Sequence, residues 1–420
     1  MIILGIETSC DETGVCLIEV KKPEAKSADQ AKAGVVLTVL GNQLYSQIAI
    51  HEKYGGVYPM MAKREHAKNL VPLFEKCLRE ANLLFPLSPD EEGGVEAHSP
   101  SLDKEELMIV ENFLDREPEL FEKLKKLLET IEKPNIDAIA VTNGPGLEPA
   151  LWVGITFAKA LNAVWNIPII PTNHMEGHIV VATLSPLLDK EGLGAVENQN
   201  RISYSIKEIK YPTIALLISG GHTQLVLIRN HLDYEIIGGT KDDAVGEAFD
   251  KVARMLSLPY PGGPQISKYA DAWKEKNINT QTFKFPRPMI NSKDLNFSFS
   301  GLKTSVLYTI KKIPELTEEI KQEIAYEFKQ AVIEVLISKT REALILTSAQ
   351  TLIVGGGVIA DKNIRRALKE LADKFKIDIQ IPEISASTDN ALMIAVAGYV
   401  NIFTGKKSNT DFIANGNLSL

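Results

Sequence analysis

Two histidines spaced four residues apart are the feature of this sequence best suited to chemistry. His174 and His178 are two of only seven histidines in 420 residues. In a helix, residues i and i+4 lie on one face, so both imidazoles could bind a single metal ion. Alternatively, the backbone could satisfy both rings at a helix start, since Thr172 and Asn173 are both good N-caps. The pair alone does not decide between these interpretations.

The same spacing occurs in zinc proteases, whose H-E-x-x-H helix places a glutamate directly after the first histidine as general base. Here Met175 occupies that position, and Glu176 follows one residue later, about 100° further round a helix. The pattern therefore predicts metal ligands without the protease base.

Carboxylates elsewhere could complete such a site. Asp389 precedes an apolar helix and could be a third ligand, although Asp at such a junction is also a good N-cap. Two histidines and a carboxylate leave positions open for substrate or water.

Asp11 and Glu12 lie in a polar turn and could bind a cation or accept a proton. A turn-forming Asp and a solvated Glu are the alternative.

Two glycine-rich turns could approach a nucleotide. Gly220 and Gly221 would let backbone N–H groups approach an anion, but glycine is also common in any tight hairpin. The run Gly355-Gly-Gly357 lies between a strand and a helix. It could contact a ring or a phosphate, or it could allow a close helix-to-strand crossing.

Length and composition limit the class of protein. The chain is long enough for two domains with separate cores, and 45% apolar and 24% charged residues are ordinary for a globular protein. No apolar run could span a membrane, the first residues lack signal-peptide features, and the three cysteines lack metal-type spacing, so we expect a cytoplasmic protein.

The net charge of −8 arises within residues 86–133, which hold fourteen acidic and six basic residues. The remainder is neutral and could carry a local basic groove for nucleic acid.

The elements that must position these residues follow a repeated plan. Patterns of strand, polar turn and strand at 2–20 and 213–228 predict two β-hairpins. Patterns of strand, glycine turn, helix and strand recur at 136–170 and 351–381. We therefore expect an α/β chain with an internal duplication, residues 1–210 and 211–420, and a site in the cleft between the halves.

Two stretches interrupt this plan. Residues 86–133 are acidic, and apolar residues at helical spacing around Pro118 predict an inserted helical hairpin. Residues 185–210 are rich in Asn, Ser and Gly, which predicts a domain boundary or an irregular, mobile loop. The apolar helix 391–403 is assigned to the second half, where we expect it to pack back near the domain interface.

Nine motifs occur in a fixed order along the chain. They are Gly5–Gly14, Gly55–Pro59, Gly144–Leu147, His174–His178, Ser219–Gln224, Glu247–Lys251, Tyr260–Pro264, Phe297–Lys303 and Thr388–Asn390. Together they closely resemble the tRNA N6-adenosine threonylcarbamoyltransferase family, whose members were once called O-sialoglycoprotein endopeptidases. The resemblance covers the chain except for about 86–133 and 185–210.

The resemblance implies an α/β fold of the actin-like ATPase superfamily, which includes sugar kinases and heat-shock proteins, with two duplicated RNase-H-like domains around a nucleotide cleft. It also implies a metal-dependent acyltransferase. The enzyme would move threonylcarbamoyl from threonylcarbamoyl-adenylate to N6 of the adenosine 3′ of the anticodon in tRNA. His174, His178 and Asp389 would bind one metal ion, with Fe²⁺ ranked before Zn²⁺ or Mg²⁺. Asp11 or Glu12 would be the general base.

The bound adenylate or ATP would contact residues of the second half. These are Leu217, Ile218, Ser219, Gly220, Gly221, Asp250, Gly263, Gly356 and Asp361. Two positions depart from the family: Asp361 replaces an Asn and Met60 replaces a Glu. An Asp can accept from a ribose hydroxyl but cannot donate, and it brings a charge near phosphate.

The resemblance implies tRNA as substrate and a separate synthase that makes the adenylate. It also implies a shorter paralogous subunit and a small ATPase if the protein is bacterial, and no membrane. An ATPase or kinase of the same fold is the alternative, and it would not need the histidine pair. A noncatalytic, nucleotide-binding paralogue is a third interpretation, and the protease ranks last.

Overall fold

The computed structural model describes residues 1–21, 34–87, 104–187, 201–276 and 282–420. Within them the chain divides into two compact units, each with a sheet and a core of its own. Unit 1 comprises Met1–Gln47, Val57–Lys207 and Asp389–Ser419, and unit 2 comprises Ile48–Gly56, Glu208–Thr388 and Leu420. Among the described helices, none has the length and apolarity needed to cross a bilayer.

The elements alternate between strands and helices along most of the chain. The strands are β1 (Ile2–Glu7), β2 (Glu12–Lys21), β3 (Val36–Ser46), β4 (Ala138–Gly144), β5 (Ile169–Asn173), β6 (Leu184–Pro186), β7 (Ser203–Ile206), β8 (Thr213–Ile218), β9 (Thr223–Ile228), β10 (Tyr234–Gly239), β11 (Thr351–Gly355) and β12 (Asp378–Gln380). The helices are α1 (Ile48–His51), α2 (Pro59–Ala81), α3 (Lys104–Phe113), α4 (Pro118–Leu128), α5 (Glu148–Trp165), α6 (His174–Val181), α7 (Val245–Met255), α8 (Gly262–Glu275), α9 (Ser300–Ile310), α10 (Glu318–Thr347), α11 (Lys362–Phe375) and α12 (Ala391–Phe403). Short 3-10 turns cover Glu52–Tyr54, Gly357–Ala360 and Ile384–Ala386.

The sheet of unit 1 has the strand order β5-β4-β1-β2-β3-β7-β6. Strands β1, β2 and β3 pair antiparallel, whereas β4 and β5 extend the sheet parallel to β1. Strands β1, β4 and β5 are buried along nearly their whole length, which is typical of parallel strands covered by helices on both faces.

The sheet of unit 2 repeats this plan in the order β10-β9-β8-β11-β12. Strands β8, β9 and β10 pair antiparallel, and β11 and β12 extend the sheet parallel to β8. Each sheet therefore contains one antiparallel meander followed by two parallel strands. This repetition confirms the duplicated α/β fold that the sequence predicted.

The predicted irregular stretch 185–210 is partly ordered as sheet. Strands β6 and β7 pair antiparallel, and β7 adds to the edge of β3 through pairs such as Thr38 with Ser203. Both strands are short and rich in polar residues, so their sequence carries little strand signal. Residues 188–200 of this stretch lie outside the described residues.

The acidic segment contains the predicted helical hairpin in its described part. Helices α3 and α4 bury Val110, Leu120 and Leu124, and Pro118 stands in the first turn of α4, where its missing N–H costs nothing. Residues 88–103 of the segment lie outside the described part of the chain.

Helix α12 packs on the sheet of unit 1, although the sequence analysis assigned it to the second half. A Cβ on Gly5 of β1 would lie 2.4 Å from the Ala391 carbonyl oxygen, and one on Gly398 would lie 2.4 Å from the Ala140 Cβ. The two glycines thus allow helix and sheet backbones to approach closely. The division between residues 210 and 211 stays a prediction, but α12 brings Asp389 to the unit that holds β1 and α6.

Candidate active site

Helix α6 positions the histidine pair. The Asn173 side chain caps this helix by accepting from the Met175 and Glu176 N–H groups at 2.8 and 3.2 Å, so His174 is the first helical residue. Of the two predicted caps, Thr172 instead donates to the Ile170 carbonyl at 3.1 Å. The two imidazole rings lie one helical turn apart, with centroids separated by 4.8 Å.

Asp389 completes a three-residue cluster with these histidines. Its Oδ1 lies 3.1 Å from His178 Nε2 and 3.5 Å from His174 Nε2, and the three candidate ligand atoms lie within 4.8 Å of one another. The alternative role of Asp389 as a helix cap is filled by Asn390, whose side chain accepts from the Met393 N–H at 3.1 Å. The Asp389 carboxylate therefore faces the imidazoles rather than the helix end.

Glu7, which the sequence analysis did not single out, orients His174. Its Oε2 lies 3.2 Å from His174 Nδ1, and the Ser9 hydroxyl lies 3.1 Å from the same nitrogen. Glu7 is fully buried and also accepts from the Ser9 N–H at 2.5 Å and from the Thr142 hydroxyl at 2.6 Å. An ionised carboxylate can only accept, so Nδ1 donates its proton to Glu7, which leaves Nε2 as the nitrogen of this ring that would bind a metal ion.

The electrostatics of the cluster favour a positive charge at its centre. Burial by itself would lower the pKa of His174, but the charges of Asp389 and Glu7 outweigh burial and hold that pKa well above its ordinary value. Burial would likewise raise the pKa of Asp389, and the two histidines hold it well below its ordinary value instead. The pKa of Glu7 is lowered because His174 outweighs the effect of burial. Two nitrogens and a carboxylate in such surroundings fit a metal cation.

The tip of the β1–β2 hairpin carries the two candidate bases, Asp11 and Glu12, and belongs to the same unit as the histidine cluster. Asp11 is buried, and Glu12 is half-buried with the Ser46 hydroxyl 3.4 Å from its Oε1. Burial raises the pKa of Glu12 well above its ordinary value, and the charges of Asp11 and Asp389 raise it further. The raised pKa makes the Glu12 carboxylate a stronger base than an ordinary glutamate, and its side chain is partly exposed.

His66 of α2 forms hydrogen bonds with this tip, and the sequence analysis did not single it out. The ring is fully buried, with Nε2 3.0 Å from the Cys10 carbonyl oxygen and Nδ1 2.8 Å from the Thr13 hydroxyl. Since a carbonyl oxygen only accepts, Nε2 carries the proton and Nδ1 accepts from Thr13. A histidine among buried apolar residues of an amphipathic helix was the available signal.

In unit 2, the tip of the β8–β9 hairpin exposes the backbone of two glycines. Leu217 and Ile218 are fully buried, and the Ser219 hydroxyl accepts from the His222 N–H at 3.1 Å. A Cβ added to Gly220 or Gly221 would meet no atom within 4 Å. Of the five predicted nucleotide residues at this tip, the two glycines are therefore those with open space beside them.

Three of the four other predicted nucleotide residues are connected through α8. Asp250 on α7 accepts from the Gly262 N–H at 2.7 Å, at the start of α8, and Gly263 also has open space where a Cβ would stand. Asp361 caps α11 and accepts from the Ser267 hydroxyl on α8 at 2.6 Å. A cavity of about 520 Å³ next to Asp250 is lined by Arg254, Tyr260 and residues 52–55.

Gly356 has a conformational role that the sequence left open. Its φ of 93° lies in the region that favours glycine, and a Cβ there would lie 2.5 Å from the Ile218 carbonyl oxygen. The close approach at Gly356 is therefore between the residue after β11 and the end of β8, whereas the alternative predicted for this glycine run was a close helix-to-strand crossing.

The two sheets share one pattern of three antiparallel and two parallel strands, which agrees with the duplicated α/β fold that the resemblance implied. A family model described as tRNA N6-adenosine threonylcarbamoyltransferase matches residues 38–86, 117–192 and 192–396. The chain belongs to the tRNA N6-adenosine threonylcarbamoyltransferase family.

Individual relatives agree with this family. A protein of that name from Chromobacterium violaceum is 38% identical over 406 residues, which is 96% of this chain and 93% of the relative. One from Thermosipho africanus is 38% identical over 420 residues, covering all of both chains. Among solved structures, T. kodakarensis HypF is 11% identical over 70% of this chain and 45% of its own, with a TM-score of 0.46.

Proposed function

We propose that this protein transfers threonylcarbamoyl from threonylcarbamoyl-adenylate to N6 of the adenosine 3′ of the anticodon in tRNA. Family membership supports the reaction. The observation that carries the site assignment is the cluster of His174, His178 and Asp389, in which Glu7 sets the tautomer of one ligand. An ATPase or kinase of this fold would not need this cluster.

His174, His178 and Asp389 would hold one metal ion. Two imidazoles and one carboxylate suit Fe²⁺ or Zn²⁺, whereas Mg²⁺ prefers oxygen ligands, so Fe²⁺ remains our first choice. When bound, such an ion supplies Lewis acidity toward a carbonyl or phosphoryl oxygen.

The donor is a mixed anhydride and is already activated, so the protein must orient it and accept a proton. The N6 amine attacks the carbonyl carbon, the bond from that carbon to the phosphate oxygen breaks, and AMP leaves. The proton released from N6 passes to a carboxylate. We assign this role to Glu12, whose raised pKa suits it, with Asp11 as the alternative base.

We assign the nucleotide part of the donor to unit 2. The open space at Gly220, Gly221 and Gly263 supports close approach of a phosphate or ring to the backbone. Leu217, Ile218 and Ser219 would shape this loop through burial and hydrogen bonding. Asp250, Gly356 and Asp361 would hold the neighbouring helix starts and strand ends in place.

The substrate implied by the family is tRNA. A separate synthase that supplies the adenylate remains part of the proposal, as do a paralogous subunit and a small ATPase if the protein is bacterial. A cytoplasmic location is likewise proposed, since that is where these partners and unmodified tRNA would meet.

The test is single-turnover transfer from pre-formed threonylcarbamoyl-adenylate to unmodified tRNA, scoring modified adenosine and bound metal together. His174→Ala should lose both. His231→Ala is the matched control, because His231 is an exposed histidine of unit 2 with no part in the cluster, and it should keep both.

Product formed by metal-free His174→Ala would sink the site assignment. No transfer by metal-loaded wild type, even after the partner proteins are added, would sink the proposed reaction. ATP hydrolysis without transfer would instead favour the ATPase interpretation. Glu12→Gln and Asp11→Asn, tested in the same assay, identify the base, and full activity of both would eliminate the assignment of either residue.

A further inference from the structure

Lys329 is a buried cation in the middle of α10 that no part of the proposed reaction uses. Its side chain is 1% exposed, and its Nζ lies 2.7 Å from Asp361 Oδ2 and 3.5 Å from Asp271 Oδ1. Lysine is almost never buried unless it is paired, so the contact with Asp361 is the main reason this position can hold a charge.

Asp361 has both carboxylate oxygens engaged within unit 2. Oδ1 accepts from the N–H groups of Asn363 and Ile364 at 2.8 and 2.9 Å, which caps α11. Oδ2 accepts from the Ser267 hydroxyl at 2.6 Å and from Lys329. A carboxylate has about four lone-pair positions, so these four donors occupy it. The carboxylate is thus a link between three helices rather than a free acceptor for a ribose hydroxyl.

This link lies next to the residues assigned to the nucleotide. Ser267 follows Gly263 by four residues, so the two share one face of α8. Gly356, the glycine that approaches Ile218, is followed by the 3-10 turn Gly357–Ala360, and Asp361 comes directly after that turn. An uncompensated carboxylate in this place would repel a phosphate, and burial would strengthen the repulsion.

We propose that Lys329 is a positioning residue of the nucleotide site. It neutralises Asp361 and fixes the start of α11 against α8, so that the site can carry an aspartate at position 361 without presenting its charge to the nucleotide phosphate. This inference rests on the proposed nucleotide site in unit 2. Lys329 acts through Asp361 and does not itself contact the ligand.

The test is a double-mutant cycle read out by AMP binding, in which isothermal titration compares wild type, Lys329→Met, Asp361→Asn and the double variant. Methionine keeps the shape of the lysine stem without its charge. Lys329→Met should bind AMP about tenfold more weakly, because one unpaired carboxylate then remains in a partly buried site. The double variant has neither charge and should recover to within about threefold of wild type.

Transfer kinetics give a second readout of the same effect. Lys329→Met should raise the KM for threonylcarbamoyl-adenylate with little change in kcat, and adding Asp361→Asn should reverse the increase. A purely structural role in helix packing would lower the melting temperature, but it would not be rescued in affinity by removing the partner charge.

Lys339→Met is the matched control. Lys339 lies on the same helix, is fully buried, and donates to the Ser292 hydroxyl and to the Ser292 and Asp294 carbonyls. This variant should lose stability but keep AMP affinity.

Two results overturn the proposal in different ways. If wild type binds AMP and Lys329→Met binds it equally well, or if the double variant stays as weak as the single one, only the role of Lys329 fails. If folded wild type binds no AMP, the nucleotide site in unit 2 fails, and the role of Lys329 fails with it. If Lys329→Met does not fold, the folded double variant decides, since the proposal requires it to bind AMP nearly as wild type does.

Discussion

The two hairpin tips occupy the same place in the same strand order but carry different chemistry. In unit 1, Thr8, Ser9 and Asp11 between β1 and β2 are 1%, 2% and 7% exposed, and histidines of α6 and α2 contact the Ser9 hydroxyl and the Cys10 carbonyl oxygen. In unit 2, Gly220 and Gly221 between β8 and β9 are exposed and have open space beside them. One copy of the duplicated scaffold therefore buries polar side chains at its tip, and the other leaves backbone exposed to a ligand.

The largest expected effect comes from changing Glu7, the buried carboxylate that contacts His174 in unit 1. In Glu7→Gln, an amide NH₂ group can face His174 Nδ1 where a carboxylate oxygen now lies at 3.2 Å. The imidazole would then accept at Nδ1 and carry its proton on Nε2, which removes the lone pair aimed at the cluster. We expect metal affinity to fall about 10- to 100-fold, measured by competition with a chelator, and transfer activity to fall with it.

Thr142→Val is the control for this variant. It removes the 2.6 Å hydrogen bond from the Thr142 hydroxyl to the same Glu7 oxygen but keeps the carboxylate. Its metal affinity should fall much less. Equal losses in the two variants would show that Glu7 acts only by keeping the fold intact.

The next effect tests whether His66 keeps the first tip in place. His66→Ala removes the bonds to the Cys10 carbonyl and the Thr13 hydroxyl, which lie on either side of Asp11 and Glu12. Misplacement of a catalytic group by about 1 Å can cost about 100-fold in rate, so we expect a loss in kcat of up to that size. Metal content and the KM for the adenylate should stay near wild type.

His66→Gln is the conservative rescue, because an amide can donate to one of these partners and accept from the other. It should recover most of the kcat. A loss of metal in His66→Ala, or no rescue by glutamine, would show that His66 supports the whole unit rather than the tip.

A matched pair of alanine substitutions compares the glycines of the two units directly. In Gly5→Ala the new Cβ would lie 2.4 Å from a backbone oxygen of α12, and such overpacking should cost about 1–3 kcal/mol or more of unfolding free energy. In Gly221→Ala the Cβ meets open space, so stability should change by less than about 0.5 kcal/mol. Thermal unfolding measures both.

AMP binding should show the reverse order. Gly221→Ala should weaken it several-fold, because the Cβ occupies space assigned to the ligand, while folded Gly5→Ala should bind normally. Unchanged affinity in Gly221→Ala would remove the second tip from the nucleotide site.

The sequence predicted those features of this comparison that depend on local pattern. Alternating strands, glycine turns and the spacing of His174 and His178 are local, and the two hairpins and the start of α6 follow them. The motif before α12 also identified Asp389. Glu7 and His66 could not be assigned roles in the same way, because the partner of Glu7 lies 167 residues away and that of His66 lies 53 or 56 residues away.

Long-range packing also explains the differences in the fold. Helix α12 follows the second sheet in sequence, yet its glycine and alanine contacts are with β1 and β4. Strands β6 and β7 gain their order from pairing with each other and with β3, not from their own composition. Such partners are visible only once the sheets have formed.

The smallest expected effect is the loss of unfolding free energy that the raised pKa of Glu12 causes at neutral pH. Burial and the charges of Asp11 and Asp389 raise the pKa of Glu12 in the folded protein. Its contribution to stability is therefore fully present below the unfolded pKa of about 4.3 and is lost as pH rises through the folded pKa. Glu12→Gln avoids this loss, so without metal it should melt about 1–3 °C higher than wild type at pH 7. The difference should vanish near pH 4.

Asp242→Asn in unit 2 is the control of opposite sign. Burial alone would raise the pKa of Asp242, but hydrogen bonds from Ser298, Ser300 and two backbone N–H groups outweigh burial and lower it. That variant should melt lower than wild type at pH 7, and its deficit should shrink as pH falls through the lowered pKa. If Glu12→Gln showed no gain at pH 7 with chelator present, Glu12 would not hold the raised pKa on which its assignment as proton acceptor depends. The first tip would then keep its buried charges without the basicity that distinguishes it from the second.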